Sequence, residues 1–245
     1  MSDTTLSRPA STLLCAHLRG GRIMARIARV VVPGYPHHVT QRGNRRQRTF
    51  FCDADCRLYL SLMSEWCGQY GVEIWGYCLM PNHIHLIAVP RDEVGLRLAI
   101  GEAHRRYTRH VNFREGWRGH LWQERFFSFV MDTSHLLAAA RYVDMNPVRG
   151  GLVPRAEDYP WSSAAAHLRG KDDALAHVSK LTDIVGDWSV LLDQAGCAAD
   201  EEKIRACSAT GRPFGGEDFI IGLEQKLGRS LHKGKPGRRP AGVGI

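Results

Sequence analysis

The sequence predicts an α+β fold in which an antiparallel, ferredoxin-like sheet carries helices packed on it, with a small, mostly helical extension at the C-terminus. Strand-like and helix-like segments follow one another in the order β-α-β-β-α-β-α, which favours this class. The chain has 245 residues, 44% of them hydrophobic, enough for one substantial core and an appendage. We therefore expect a disordered leader over residues 1–23, one domain over residues 24–166 and the extension over residues 167–245.

The first strand is predicted at residues 37–41 and leads into an arginine-rich loop at residues 42–48. Asp53 or Asp55 is expected to cap the helix that follows, because a short carboxylate side chain accepts hydrogen bonds from the first backbone N–H groups. Apolar residues at four-residue intervals give this helix one apolar face: Leu58, Leu62 and Trp66. We expect the helix to run to about Tyr70.

A second strand is predicted over residues 72–79 and a third over residues 80–89. Residues 81–82 form a tight turn or bulge near the start of the third strand. The third strand carries His83 and His85 at positions i and i+2, so both imidazoles leave the same face of the sheet. Such a pair can hold one divalent cation if a third group completes the site. Alternatively, these are two ordinary strand histidines.

A helix over about residues 93–113 and a strand over residues 121–130 complete the predicted sheet layer. Thr133 or Ser134 is expected to cap a further helix that is broken at residues 146–147, where Asn-Pro stands.

The extension is predicted to contain short helices over residues 167–210 and an amphipathic helix over residues 219–227. A basic tail over residues 233–240 follows, which is either a further DNA contact or a solvated terminus.

The net charge of +8 and the pI near 9.3 favour a polyanionic partner, because arginine supplies most of the positive charge and its planar fork suits phosphate. A basic surface without a ligand is the alternative. The candidate DNA contacts lie in the loop, in the second helix and in the 121–130 segment: Arg42, Arg45, Arg46, Arg48, Arg105, Arg106, Arg109 and Arg125.

Seven cysteines form an odd number without a paired framework, and no secretory signal precedes them, which predicts a reducing cytoplasm. No apolar run approaches the ~18 residues that cross a bilayer, so we expect no membrane association.

Tyr142 and Asn146 lie four residues apart and share a helix face if the helix continues that far. Asn146 offers a carboxamide oxygen that can ligate a hard cation, and the phenol of Tyr142 can act as a nucleophile when a metal or a cationic environment stabilises the phenolate. Each also has an ordinary role, as a core tyrosine and as a helix cap. Tyr107 is a competing nucleophile because it lies in the basic helix, and Gln123 is the reserve third ligand.

Four ordered motifs, between about Met24 and Ser163, resemble the single-tyrosine transposases of the HUH superfamily, and specifically the REP-associated tyrosine transposases among the IS200-like transposases. They are His83-Ile84-His85, Trp122-Gln123-Glu124-Arg125-Phe126, the Tyr142 to Gly151 stretch and Tyr159-Pro160-Trp161-Ser162-Ser163.

The resemblance implies a single-stranded DNA endonuclease and strand transferase that requires Mg²⁺ or Mn²⁺ and acts on hairpin-forming DNA. His83 and His85 match its metal ligands, Asn146 stands where related enzymes use glutamine as the third ligand, and Tyr142 matches the nucleophile that forms a 5′-phosphotyrosine. On this ground Tyr142 is preferred to Tyr107.

Two other functions remain open. The protein could be a non-catalytic DNA-binding regulator of structured repeats, although such a binder has no chemical need of all four site residues. A metal-dependent RNA nuclease that uses only the histidines is a weaker third possibility. We expect a cytoplasmic, nucleoid-associated protein, as a monomer or a homodimer.

Overall fold

The computed structural model describes residues 27–194 and 197–232 of the chain. The predicted leader over residues 1–23 and the predicted basic tail over residues 233–240 lie outside these described residues. The strands and helices run in this order: β1 His37–Arg42, α1 Asp53–Gln69, β2 Val72–Met80, β3 His83–Pro90, α2 Gly95–Glu115, β4 Phe127–Val130, α3 Thr133–Asp144, α4 Asn146–Arg149, α5 Ala164–Arg169, α6 Ser179–Val185, α7 Trp188–Asp193, α8 Ala198–Thr210 and α9 Glu217–Leu227.

The four strands form one antiparallel sheet in the order β2-β3-β1-β4, which is the ferredoxin-like order and confirms the predicted fold class. In this register Arg42 on β1 lies opposite His83 on β3, and Thr40 lies opposite His85. The register therefore sets the end of the first strand beside the histidine pair.

The two faces of the sheet carry different layers. Helices α1 and α2 cover one face, where Ile84 and Leu86 of the histidine strand enter the core with Tyr59 and Tyr107. Helix α3 and the helices of the extension cover the other face, where Ile87 is buried. Because side chains alternate along a strand, His83 and His85 point towards the α3 layer.

Two strand boundaries differ from the prediction. Met80 ends β2 and pairs with His83, so β3 begins at the first histidine rather than at residue 80. Strand β4 begins at Phe127 instead of residue 121, because the preceding segment curls through Glu124 with φ of 55°. This segment meets the end of β1 through an isolated bridge between Gly43 and Trp122 and through bonds from the Gln41 side chain to the carbonyls of Gln123 and Glu124. Aromatic content alone does not distinguish such a segment from a strand.

The predicted helix caps are wrong in detail. The side chain of Asp132, and not Thr133 or Ser134, accepts the backbone N–H of His135 at the start of α3. Asp55 lies inside the first turn of α1, where its carboxylate accepts from the backbone N–H groups of Phe51 and Cys52 at 2.8 and 3.3 Å.

The extension is helical, as predicted, and shares a core with the sheet. Helix α5 runs across the expected boundary at residue 166, and Trp188 of α7 and Ile204 of α8 pack in the same apolar cluster as Ile87 and Phe129 of the sheet. Helix α9 instead packs against the first described residues, with Leu223 beside Val30.

A buried carboxylate joins these layers. Asp144, at the end of α3, is fully buried and accepts hydrogen bonds from His167 Nδ1 at 2.7 Å, Trp188 Nε1 at 3.0 Å and Ser163 Oγ at 3.2 Å. The other ring nitrogen of His167 bonds to the backbone carbonyl of Trp75 at 2.8 Å. The helix that carries Tyr142 is thereby fixed to β2, α5 and α7.

None of the helices within residues 27–194 and 197–232 combines the length and the apolar character needed to cross a bilayer.

Candidate active site

The structure brings the two strand histidines and Tyr142 together on the α3 face of the sheet. The ring centroids of His83 and His85 lie 5.0 Å apart, and the ring of Tyr142 stands edge-on to His85 at 5.6 Å. His85 is buried, with 6% of its surface exposed, whereas His83 is half-buried at the end of the strand. The tyrosine reaches the pair because α3 packs directly across β2 and β3.

A third histidine, which was assigned no role in the site from the sequence, adjoins the pair. His38 on β1 is buried, and its Nε2 lies 3.0 Å from Nδ1 of His85 with the two rings nearly parallel at 12°. His83 makes a comparable bond, from its Nδ1 to Oδ1 of Asn82 at 2.6 Å.

The imidazoles of the site are held in their neutral forms. Burial, with a smaller contribution from the charge of Arg42, lowers the pKa of His83 to about 4. Burial lowers the pKa of His38 to about 3 and places the pKa of His85 well below its ordinary value. A neutral imidazole that donates through Nδ1 keeps a lone pair on Nε2, which is the form that ligates a metal.

Asn146 begins the short helix α4 directly after α3 ends. Its Nδ2 donates to the backbone carbonyl of Tyr142 at 3.0 Å, which keeps the two residues on adjoining turns. Its Oδ1 accepts from Nη2 of Arg149 at 3.1 Å, and the guanidinium of Arg149 lies 3.9 Å from the centroid of the Tyr142 ring. Glu201 of α8 pairs with the same guanidinium at 3.0 Å.

Arg149 was not predicted from the sequence. Its position three residues after Asn146, within the same helical turn, was the available signal. The predicted helix ends at the Asn-Pro pair, so Arg149 was not placed on a helical turn. In the structure a new helix, α4, begins at Asn146.

The donors present fit a divalent cation. Hydrogen bonding at Nδ1 can leave Nε2 of both His83 and His85 as ligands, and the amide oxygen of Asn146 has a second lone pair besides the one that Arg149 uses. Within the described residues no three His, Cys, Asp or Glu side chains form a metal-binding group. Gln123, the reserve ligand, has an exposed side chain, and its backbone N–H bonds to the carbonyl of Arg42 at 2.8 Å.

Tyr107 lies on the other face of the sheet. It is fully buried in the layer of α1 and α2, and its hydroxyl donates to the backbone carbonyl of Thr49 at 2.7 Å. Burial raises its pKa far above the ordinary value. These contacts explain Tyr107 as a core residue.

The arginine loop lies directly beside the histidine strand. Gly43 donates its backbone N–H to the carbonyl of Asn82 at 2.8 Å, and Nδ2 of Asn82 donates to the carbonyl of Arg46 at 3.2 Å. Since Asn82 also holds His83, the loop and the histidine share one anchoring residue.

The backbone of this loop is tightly turned. Arg45 and Arg46 have φ of 53° and 62°, a left-handed conformation that few residues other than glycine adopt. A Cβ on Gly43 would lie 2.3 Å from the carbonyl oxygen of Gln47, so the turn requires glycine there. The turn leaves four arginine side chains exposed at the edge of the site: Arg42, Arg45, Arg46 and Arg48.

The other predicted arginines lie away from the histidines. Helix α2 covers the opposite face of the sheet, and its arginines are exposed there: Arg105, Arg106 and Arg109. Arg106 stacks over Trp66 at 4.4 Å, and Arg105 pairs with Glu102. Arg125 shares with Arg105 a groove of about 390 Å³ that Arg97, His120 and Trp122 also line.

A second cavity joins the two basic regions. It has a volume of about 390 Å³ and lies between the arginine loop, which contributes Arg45, and the segment after α2, which contributes Trp117, Arg118 and His120. The backbone N–H of Asn44 bonds to the carbonyl of Leu121 at 2.8 Å and closes the two segments against each other. A basic surface therefore continues from the histidine face round to the α2 face.

Residues 31–146 match the family described as Transposase IS200 like. A curated relative from Haemophilus influenzae, named as a REP-associated tyrosine transposase, is 27% identical over 116 residues, which cover 43% of this chain and 66% of the relative. The chain thus spans just under two thirds of that relative's length.

The fold is similar to a solved structure of a REP-associated tyrosine transposase bound to a REP hairpin. That structure is 21% identical, with a TM-score of 0.52, and the match covers 62% of this chain and 90% of that one. A transposase structure from Deinococcus radiodurans is 17% identical over 49% of this chain and 95% of its own, but its TM-score of 0.35 is too low to bear on the fold.

Proposed function

We propose that the protein, whose residues 31–146 match the family described as Transposase IS200 like, is a metal-dependent single-stranded DNA endonuclease and strand transferase. In this proposal Tyr142 is the nucleophile, and His83, His85 and Asn146 hold Mg²⁺ or Mn²⁺. The observation that carries it is the placement of the Tyr142 ring edge-on to His85 at 5.6 Å, with the ring of His83 5.0 Å from that of His85, beside the arginine loop.

The chemistry is a transesterification. The phenol of Tyr142 gives up its proton to solvent, and its oxygen forms a bond to phosphorus as the bond from phosphorus to the 3′-oxygen breaks. This leaves a 5′-phosphotyrosine, and the 3′-oxygen takes up a proton from solvent to become a 3′-hydroxyl. Attack by a 3′-hydroxyl on the phosphotyrosine reverses the step and rejoins DNA without an external energy source. A divalent cation bound at the site would neutralise charge on the non-bridging phosphate oxygens.

The chain's own residues orient the reacting groups. The bond from Asn146 to the Tyr142 carbonyl fixes α4 against α3, and the network around Asp144 fixes α3 against the sheet. Arg149, stacked on the Tyr142 ring, supplies positive charge beside the phenol. Catalysis of this kind depends on orientation and on fixed charge more than on proton transfer.

The basic surface gives the DNA a path. Arginines of the 42–48 loop would hold the backbone next to His83, and the cavity with Arg45 and Trp117 offers both charge and an aromatic face to an unpaired nucleotide. The groove with Arg105 and Arg125 lies further along, on the α2 face. DNA that contacts both regions must bend round the end of the sheet, as the two arms of a hairpin can.

The similar solved structure was obtained with a REP hairpin, which supports hairpin-forming DNA as the substrate class of this chain. We propose that the reaction serves DNA transposition or the mobilisation of such repeats, and that the protein acts in the cytoplasm at the nucleoid.

A His83→Ala variant should lose DNA cleavage but keep DNA binding. Wild-type protein with Mn²⁺ should cleave a labelled single-stranded hairpin, and the variant should lose cleavage while keeping most of its affinity, since the arginine contacts do not involve the metal. Lys180→Ala, on the extension, is the matched surface control. Tight binding without cleavage by the wild type would instead support a DNA-binding regulator, and normal cleavage by the variant would eliminate the metal assignment.

A further inference from the structure

His38 lies behind the histidine pair and contacts three parts of the site. Its ring is nearly parallel to His85, stands edge-on to Phe129 of β4 at 5.0 Å, and stands edge-on to Tyr142 at 6.1 Å. Only 1% of its surface is exposed, so it cannot itself touch a nucleic acid. Its place is fixed by the sheet, because β1 is paired with β3 along the whole length of β1.

The hydrogen bond between His38 and His85 contains one proton, which gives two arrangements. If His85 donates through Nδ1, its Nε2 keeps a lone pair and can bind a cation. If His38 donates through Nε2, the proton of neutral His85 lies on its own Nε2, and the residue cannot be a ligand. The arrangement of this one bond therefore decides whether His85 is competent.

No other hydrogen bond in the described part of the chain determines which ring nitrogen of His38 carries its proton. Its Nδ1 is buried and has no hydrogen-bond partner among residues 27–194 and 197–232. The neighbouring His37 differs, because its Nδ1 donates to the Tyr35 carbonyl at 2.8 Å and its Nε2 accepts the Val32 N–H at 3.1 Å. The ring of His38 can thus accept from His85 without breaking another bond, and its own proton then lies on Nδ1. That N–H has no acceptor among the described residues, a cost of about 1 to 3 kcal/mol that cation binding at Nε2 of His85 has to offset.

We infer that His38 is a positioning residue for the metal site, which accepts the Nδ1 proton of His85 and so presents Nε2 of His85 to the cation. The inference rests on the metal role proposed for His83 and His85. A partner that holds the second nitrogen of a ligating histidine orients the ring and strengthens the ligand, and its loss reduces metal affinity by about 10- to 100-fold. Asn82 has the same relation to His83 through its 2.6 Å bond.

Three variants separate this role from simple packing. His38→Phe keeps a buried aromatic ring but removes the acceptor, whereas His38→Gln restores an amide oxygen near the place of Nε2. His104→Phe is the matched control, because it removes another buried imidazole on the opposite face, where Nε2 bonds to the Tyr59 hydroxyl at 2.8 Å. Circular dichroism and thermal unfolding establish that each variant is folded.

Mn²⁺ affinity is the first readout, measured on the full chain without DNA from the electron paramagnetic resonance signal of free Mn²⁺. We expect His38→Phe to weaken binding about 10- to 100-fold, His38→Gln to recover part of the loss, and His104→Phe to bind as the wild type does. The second readout is the ¹H–¹⁵N correlation spectrum of the histidine rings with Mg²⁺, in which Nδ1 of His85 should carry the proton.

Equal Mn²⁺ affinity of wild type and a folded His38→Phe protein would overturn the inference, as would a proton on Nε2 of His85 in the Mg²⁺ complex. Either result leaves the proposed function standing, provided that His83→Ala abolishes Mn²⁺ binding. If the wild type binds no Mn²⁺, the proposed metal site fails, and the inference fails with it.

Discussion

Asp144 anchors the helix that carries Tyr142, and replacing it with alanine should reduce the free energy of unfolding by about 3 to 5 kcal/mol. The side chain is fully buried and accepts from three donors, on His167, Trp188 and Ser163. Each buried donor left without an acceptor costs about 1 to 3 kcal/mol. Ser163 can donate instead to the carbonyl of Tyr77 at 3.2 Å, so His167 and Trp188 are the donors left without an acceptor. Two losses of about 1 to 3 kcal/mol each span the predicted change.

The assay is equilibrium unfolding in urea, in which the midpoint should fall while the m-value stays constant. Asp158→Ala is the matched control, because Asp158 is an exposed carboxylate paired only with Arg155, and its removal should leave the midpoint nearly unchanged. Since Tyr142 and Asn146 flank Asp144, cleavage by the variant should also fall at temperatures where it remains folded.

The destabilisation should depend on pH in a defined direction. Burial lowers the pKa of His167, but the charge and hydrogen bond of Asp144 outweigh burial, so the net pKa lies above its ordinary value. A raised folded-state pKa contributes stability that is complete below the unfolded value of about 6.5 and is lost as pH rises through the folded value. The difference between wild type and Asp144→Ala should therefore be larger at pH 6 than at pH 9. A loss under about 1 kcal/mol, or one that grows with pH, would refute this account of the network.

Three other predictions concern the DNA surface and the opposite face. Replacing Arg45 or Arg46 with alanine should lower the slope of log affinity against log salt by about 0.7 per residue on single-stranded DNA, measured by fluorescence anisotropy. The slope should not change in Lys180→Ala. An unchanged slope in the arginine variants would mean that the loop does not contact DNA. Burial lowers the pKa of His104 to about 3, so its contribution to stability is present above the unfolded pKa of about 6.5 and is lost as pH falls. Between pH 7.5 and 4.5 the free energy of unfolding in urea should fall by about 2.7 kcal/mol more for the wild type than for His104→Phe. An equal fall in both proteins would disprove the assigned cause. Tyr107→Phe should cleave normally and lose about 1 kcal/mol of stability, because only the bond to the Thr49 carbonyl disappears; a variant that is folded but inactive would reopen its candidacy as nucleophile.

The sheet and its flanking helices were predictable because their apolar periodicity is local. The alternation around His83 and His85 predicted their shared face, and the four-residue spacing of Tyr142 and Asn146 placed them on adjoining turns. The start of β4 was not predictable, because a curled aromatic segment and a strand have the same composition. Strand pairing, which puts Trp122 against Gly43 there, is a tertiary property.

The rest of the site depends on contacts across the sheet. Adjacent histidines at positions 37 and 38 must point to opposite faces, but the sequence does not state that His38 meets His85, since this needs the register of β1 with β3. Arg149 is likewise fixed by Glu201, which lies 52 residues further along the chain on α8. The basic helix at Arg105 was correctly predicted as helix and exposed, but its placement on the far face follows from the connection order of the sheet.

The most direct test of the central claim is whether Tyr142 forms a covalent bond with DNA. Single-stranded hairpin DNA labelled at either end is incubated with Mn²⁺ and with wild-type or Tyr142→Phe protein, and the products are resolved on a denaturing gel before and after protease treatment. We expect a protease-sensitive adduct on the 3′-labelled fragment, which carries the new 5′ end, present with the wild type and lost with the variant. Cleavage of equal extent by both proteins, with no adduct, would contradict it and indicate a hydrolytic nuclease.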